Sequence, residues 1–144
     1  MDTRYRQRVQ NFNNTLKLLE ETLDIRNPSE TERLGIIKSY EMCFDLAWKG
    51  LKDYLESQGL DPKFPRETIK TAIQTGILEN EDAWLRALTD RNLMVHTYDE
   101  KAAMAVEKTI RESYYPLLKK LAAFFEGTSH KRPPQWEISP ISHA

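Results

Sequence analysis

The apolar side chains of this chain recur in steps of three and four. Tyr5, Val9, Phe12, Leu16, Leu19 and Leu23 trace one narrow stripe on a helix of about 3.6 residues per turn. No segment alternates apolar and polar residues for long enough to make a half-buried strand. The pattern therefore restricts the chain to an all-α fold. Its punctuation divides that fold into pieces. The first helix is expected to stop at Asn27-Pro28, because proline disfavours helical geometry in the residue before it. Ser29-Glu30-Thr31-Glu32 reads as a capping box that opens a second helix, which Gly59 should close. On this helix Leu34, Ile37, Phe44, Ala47, Leu51 and Tyr54 can share a face. Met42, Leu46, Trp48 and Leu55 widen it, so it should sit centrally or at an oligomer interface.

Asp61 to Pro65 is a connector, and Pro65 suits the first position of a short third helix, where a missing N–H costs nothing. That helix should run to about Thr75 and close at Gly76. Asn80 is placed to cap the fourth helix, with Glu81 and Asp82 at the positive end of its dipole and Trp84, Leu88 and Met94 on its inner side. A break near Thr97-Tyr98-Asp99 precedes a long fifth helix from about Glu100 to Phe125. Val106, Ile110, Leu117, Leu121 and Phe124 mark its buried side, and Pro116 should bend it. These lengths predict an antiparallel four- or five-helix up-and-down bundle over residues 1–126. Residues 127–144, with Pro133, Pro134 and Pro140, form a C-terminal tail or arm.

A length of 144 residues suits one core that needs no staples. Basic and acidic residues nearly cancel, at 21 against 22, so composition alone does not announce a nucleic-acid binder. Any RNA contact must come from local arrangement, or from two copies lining one cleft. Cys43 stands alone, which excludes an internal disulfide and any multi-cysteine metal site. The amino terminus has no signal-peptide core, and no apolar run approaches the ~20 residues of a membrane span. The expectation is a soluble, cytoplasmic protein with no cofactor and no metal.

The chemistry concentrates between Ala87 and Glu100. Arg91, four residues, His96, one residue and Tyr98 fall where the fourth helix should end. Histidine titrates near neutral pH and can act as base or acid. Arginine keeps its charge and grips phosphate oxygens through two prongs. Together they could cleave RNA without a metal. One group would deprotonate the ribose 2′-OH, another would protonate the leaving oxygen, and a cation would face the phosphorane's developing charge. Five positions turn ~140° around a helix, so Arg91 and His96 do not stack on one face. They converge if His96 lies in a loosened last turn, or if a two-fold dimer supplies both copies.

Arg91-Asn92-x-x-x-His96-x-Tyr98 resembles the motif of HEPN ribonuclease toxins that are paired with minimal nucleotidyltransferase antitoxins. The surroundings agree: Trp84 seven residues before the arginine, Asp99-Glu100 after the tyrosine, and Tyr115-Pro116 in the last helix. The resemblance covers roughly residues 3 to 126. Chains of this family are also described as nucleotidyltransferase substrate-binding proteins. It implies a homodimer with a cleft between subunits, Arg91 and His96 as catalytic residues, and Asn92 on the phosphate or orienting His96. It also implies that the partner nucleotidyltransferase transfers AMP from ATP to Tyr98, adding negative charge beside the phosphate-binding arginine. RNA, with tRNA suggested by analogy, is the implied substrate.

Each residue also has a plainer reading. Arg91 could pair with Asp90, Asp99 or Glu100, His96 could favour a helix dipole, and Tyr98 could be a core tyrosine. Arg4, Arg6 and Arg8 step by two and so wrap around their helix, which suits a solvated end better than an RNA grip. Trp48 and Trp84 read as core or interface, and Cys43 as a small core residue. Glu20-Glu21 and Glu30/Glu32 read as solvated helix charges and a cap. His130 and His143 have no ligand partners nearby. The main functional rival to a nuclease is a non-catalytic subunit that presents substrate to, or scaffolds, a nucleotidyltransferase.

Overall fold

The computed structural model describes residues 3–96 and 99–129, apart from the side chains of Val95, His96 and Ser129. Helix α1 spans Thr3–Leu23, α2 Glu30–Ser57, α3 Pro65–Gln74 and α4 Glu81–His96. Helix α5, Glu100–Thr109, passes through a π-turn at Ile110–Tyr114 into α6, Tyr115–Ser129. Among the described residues there is no strand, and the all-α expectation holds. Tyr5 meets Tyr54 and Phe125, so α1 runs against both α2 and α6. Helices α3 and α4 together make the third leg, and α5–α6 the fourth, giving an up-and-down bundle.

Local chemistry explains most of the ends. The Ser29 hydroxyl accepts from Glu32 N–H at 3.1 Å, and the Glu32 carboxylate accepts from Ser29 N–H at 2.8 Å. Both halves of the capping box are thus made, which satisfies two otherwise orphaned donors. Pro65 opens α3, and Gly59 and Gly76 take φ of 85° and 82° just past their helices. Asn80 precedes α4 with φ of 64°, a left-handed conformation that asparagine tolerates. Its carbonyl accepts from Trp84 N–H at 3.1 Å.

Helix α1 ends at Leu23, short of Asn27-Pro28. The reason is tertiary. Arg111 reaches over from the π-turn and donates to the Leu23 and Ile25 carbonyls, each at 2.6 Å. The helix end is satisfied from outside, so the backbone is released before the proline acts.

The π-turn answers to Pro116. Proline has no N–H, and its ring clashes with the carbonyl four residues back. The Tyr115 N–H bonds to the Ile110 carbonyl, widening one turn so that the rod continues through the proline. The extra residue shifts the buried face. Leu118 and Phe125 are fully buried while Phe124, the expected core residue, is only partly so. Tyr114 turns inward for the same reason. Helix α6 continues through Gly127 to Ser129, and the proline-containing stretch beyond lies outside the described residues.

The core packs Tyr5, Phe12, Leu19, Ile36, Tyr40, Phe44, Leu51, Leu55, Ile110 and Phe125, all essentially inaccessible. Each such side chain contributes about 1.5–3 kcal/mol through its removal from water. Phe125 meets Phe12 and Tyr5 edge-on, with centroids 5.3 and 6.1 Å apart. Gly50 lets α2 approach that ring. Two expected core positions on α2 are corrected: Leu34 and Met42 are exposed, while Arg33 and Asp53 are buried. Arg33 is taken in because it pairs with Glu107, and Asp53 because Arg8 and Arg4 reach it at 3.0 and 3.5 Å. Arg4 and Arg8 lie four apart and therefore share a face, from which both reach Asp53, although Arg4 keeps 65% of its side chain exposed, as a solvated end should. No helix among the described residues is long and apolar enough to cross a membrane.

Candidate active site

Helix α4 carries the motif because its first turns are anchored. Trp84, Ala87 and Leu88 are buried against the core, whereas Asn92 and Leu93 project from it. Arg91 stands at the transition, with its side chain 29% exposed. Its Nη1 donates to Asn92 Oδ1 at 3.2 Å, and its Nη2 reaches Asp45 Oδ1 on α2 at 3.5 Å. Its Nε–H is buried, with no acceptor among the described residues.

Asp45 is the hub of this corner. Besides Arg91 it accepts from the Trp48 indole N–H at 3.3 Å and pairs with Lys49 at 2.9 Å. The partners expected for Arg91 from its own neighbourhood are thus replaced. Asp90 accepts instead from the Tyr114 hydroxyl, and Asp99 caps α5 by accepting from Lys101 N–H at 3.1 Å. Glu41, one turn before Asp45, has its carboxyl raised above the ordinary range, chiefly by burial, with Lys38 and Arg91 pulling the other way.

Beneath Arg91 lie two buried tyrosines. Tyr40 and Tyr114 stack with centroids 5.5 Å apart at 20°. The Tyr40 hydroxyl donates to the Ala87 carbonyl at 2.5 Å. Burial pushes the ionisation of both phenols up, so both remain protonated donors.

His96 is the last residue of α4; its side chain, and the whole of Tyr98, fall outside the described residues. Arg91 and Asn92 are brought into contact. Asp45, Tyr40 and Tyr114 join them, although the sequence marked none of the three as functional. Asp45 carried no distinguishing signal, because Glu41 and Asp53 lie on the same helix. Glu20, expected as a solvated charge, accepts from Lys119 at 2.8 Å and from Tyr115, and these bonds hold its carboxyl below the ordinary range. Cys43 is buried as expected, and burial pushes its thiol up to about 12.

Residues 7–126 match the family described as nucleotidyltransferase substrate binding protein like. The chain belongs to that family. The HEPN resemblance read from the motif agrees with it, and a curated relative points the same way. Over 77 residues the chain is 26% identical to a probable ribonuclease HepT of Haemophilus influenzae, covering 50% of this chain and 53% of that protein. The chain therefore spans about half the length of this relative. A crystal structure of a Thermus thermophilus protein superposes with a TM-score of 0.73 at 32% identity, covering 79% of this chain and 98% of the other. The substrate-binding-like bundle is thus shared with a solved protein along nearly all of that protein's length.

Proposed function

We propose that this member of the substrate-binding-like family is a metal-independent HEPN ribonuclease, acting as the toxin of a toxin–antitoxin pair. The observation that carries the reading is the state of Arg91. It sits half-buried at the motif end of α4, and among the described residues it is held by one carboxylate contact, at 3.5 Å. An ion pair of that length and exposure contributes no more than about 1 kcal/mol, so a phosphate can take the guanidinium over. Arg91 then neutralises the phosphorane, and Asn92 contacts the phosphate or orients His96. His96 performs proton transfer: the 2′-oxygen attacks phosphorus, the 5′-oxygen leaves, and a proton passes from the first to the second. A homodimer cleft brings two copies of the motif together. The RNA is tRNA by analogy with the family, and the compartment is the cytoplasm. The partner is a separate minimal nucleotidyltransferase, which transfers AMP to Tyr98 and silences the site by adding charge beside Arg91.

A second reading has its own support. Asp45 already occupies Arg91, and the family's description is of substrate binding. On that reading the chain is a non-catalytic subunit that presents substrate to the nucleotidyltransferase. Expression of the chain alone separates the two. Growth arrest with tRNA loss in wild type, absent in folded Arg91→Ala and Asn92→Ala/His96→Ala variants, supports the nuclease. A harmless wild type that leaves RNA whole without its partner removes it in favour of the binding subunit.

A further inference from the structure

The turn of α4 that carries Arg91 is gripped from below by two hydroxyls from different parts of the chain. Tyr40 comes from α2 and Tyr114 from the π-turn, and both are essentially buried. Tyr40 donates to the Ala87 carbonyl, which in an α-helix is also the acceptor for the Arg91 amide. Tyr114 donates to the carboxylate of Asp90, the residue before Arg91. The rings stack on each other, so a shift of one ring disturbs the packing of the other. The contacts are separated by 47 and 24 residues in sequence, so the turn is fixed to two other legs of the bundle at once.

We propose that Tyr40 and Tyr114 form a clamp whose role is to position Arg91, with Asp90 as its anchor and the Pro116-driven π-turn as the device that supplies Tyr114. A buried hydroxyl needs a partner, and both find theirs on the single turn that ends in the motif arginine. The Arg91 Nε–H, buried without an acceptor among the described residues, reports how tightly that turn is seated. A loosened turn would let water reach it. The clamp touches neither phosphate nor ribose, so these tyrosines are positioning residues. The effect on turnover rests on the ribonuclease reading; the effect on Arg91 does not.

The experiment compares Tyr40→Phe, Tyr114→Phe and Asp90→Ala with wild type in the full chain. Tyr5→Phe serves as control, because Tyr5 is equally buried but its hydroxyl bonds to Thr128 at the far end of the bundle. Two quantities are read: hydrogen exchange at the Arg91 Nε–H by NMR, and kcat and KM on tRNA. Clamp variants should exchange at least tenfold faster at Arg91, while kcat falls about a hundredfold, the scale of an ångström's misplacement, with KM little changed. Tyr5→Phe should leave both at wild-type values. Asp90 is only partly buried, so Asp90→Ala keeps the test open if a tyrosine variant does not fold. If folded clamp variants, or Asp90→Ala alone, exchange at Arg91 like wild type, the clamp is overturned. If wild type cleaves no RNA but the exchange difference appears, the clamp stands and only the ribonuclease reading fails.

Discussion

Glu107 offers a case in which contact length and energetic weight should part company. Its two carboxylate oxygens are divided between two arginines, Arg33 Nε at 2.8 Å and Arg111 Nε at 2.9 Å. The Arg33 and Glu107 side chains are 11% and 12% exposed and that of Arg111 is 27%, so water screens this triad poorly. Glu107→Gln keeps the shape but leaves one oxygen and one amide nitrogen facing two guanidinium donors. One charge-assisted bond becomes a donor–donor clash and the other is weakened. Breaking a buried pair from one side costs about 3–5 kcal/mol, and partial exposure of Arg111 places this case near the lower end, at about 3 kcal/mol. For a chain of this size that corresponds to a fall in Tm of roughly 6–12 °C. The loss should be magnified because Arg111 also holds the Leu23 and Ile25 carbonyls at the end of α1. The comparison is Asp61→Asn, which breaks the shorter Lys63–Asp61 contact of 2.7 Å between two well-exposed side chains. That variant should unfold with wild type. Urea titration followed by circular dichroism measures both. Equal losses in the two variants, or no loss at Glu107→Gln, would refute the reasoning that burial rather than distance sets the weight of these pairs.

Gly50→Ala tests the approach of α2 to α6. An added Cβ would lie 2.8 Å from Phe125 Cζ and 3.2 Å from Cε2, and that ring is wedged edge-on between Phe12 and Tyr5. Overpacking costs about 1–3 kcal/mol against a helix-propensity gain of about 1 kcal/mol, so thermal melts should show a net loss; an unchanged or raised Tm refutes the close fit. Glu41→Gln tests the acid beside Arg91. A carboxyl raised in the folded state contributes stability that is fully present below its unfolded pKa and lost as pH rises through the folded one. The variant should therefore gain on wild type at pH 7 and match it near pH 3, and a difference independent of pH would reject burial as the cause.

What could be read from the sequence was what is decided within one turn of the chain. The Ser29–Glu32 box, Pro65 at the head of α3, and the left-handed Gly59 and Gly76 each depend on neighbours three or four residues away. The placement of Arg91 and Asn92 at the end of α4 followed from the same local logic. What escaped was set across the bundle. Leu34 and Met42 belong to an apolar pattern, yet the pattern cannot say which faces the other helices cover. Arg33 looks like a surface charge until Glu107, 74 residues on, is packed against it. Pro116 announced a bend, but a widened turn that rotates Tyr114 into the core depends on the rod being held at both ends. Tyr40 and Tyr114 fell on neither expected apolar face, yet both are core residues, and their hydroxyls, bonded to α4, set them apart.

The position of Asp45 bears on how a site of this kind could be both quiet and ready. A carboxylate facing the motif arginine competes with any phosphate, and at first sight that argues against catalysis. The cost of displacing it depends on what Asp45 keeps when Arg91 leaves. It keeps Lys49 at 2.9 Å and the Trp48 N–H at 3.3 Å, both closer than its contact with Arg91. No buried charge is stranded by the exchange, and the large penalty of breaking a pair from one side does not apply. Arg91 in turn exchanges a single-point contact for the two-pronged geometry that a phosphate offers, which is shorter and stronger. On the ribonuclease reading, Asp45 is therefore a weak placeholder. It partners the guanidinium until RNA arrives, and its release costs little.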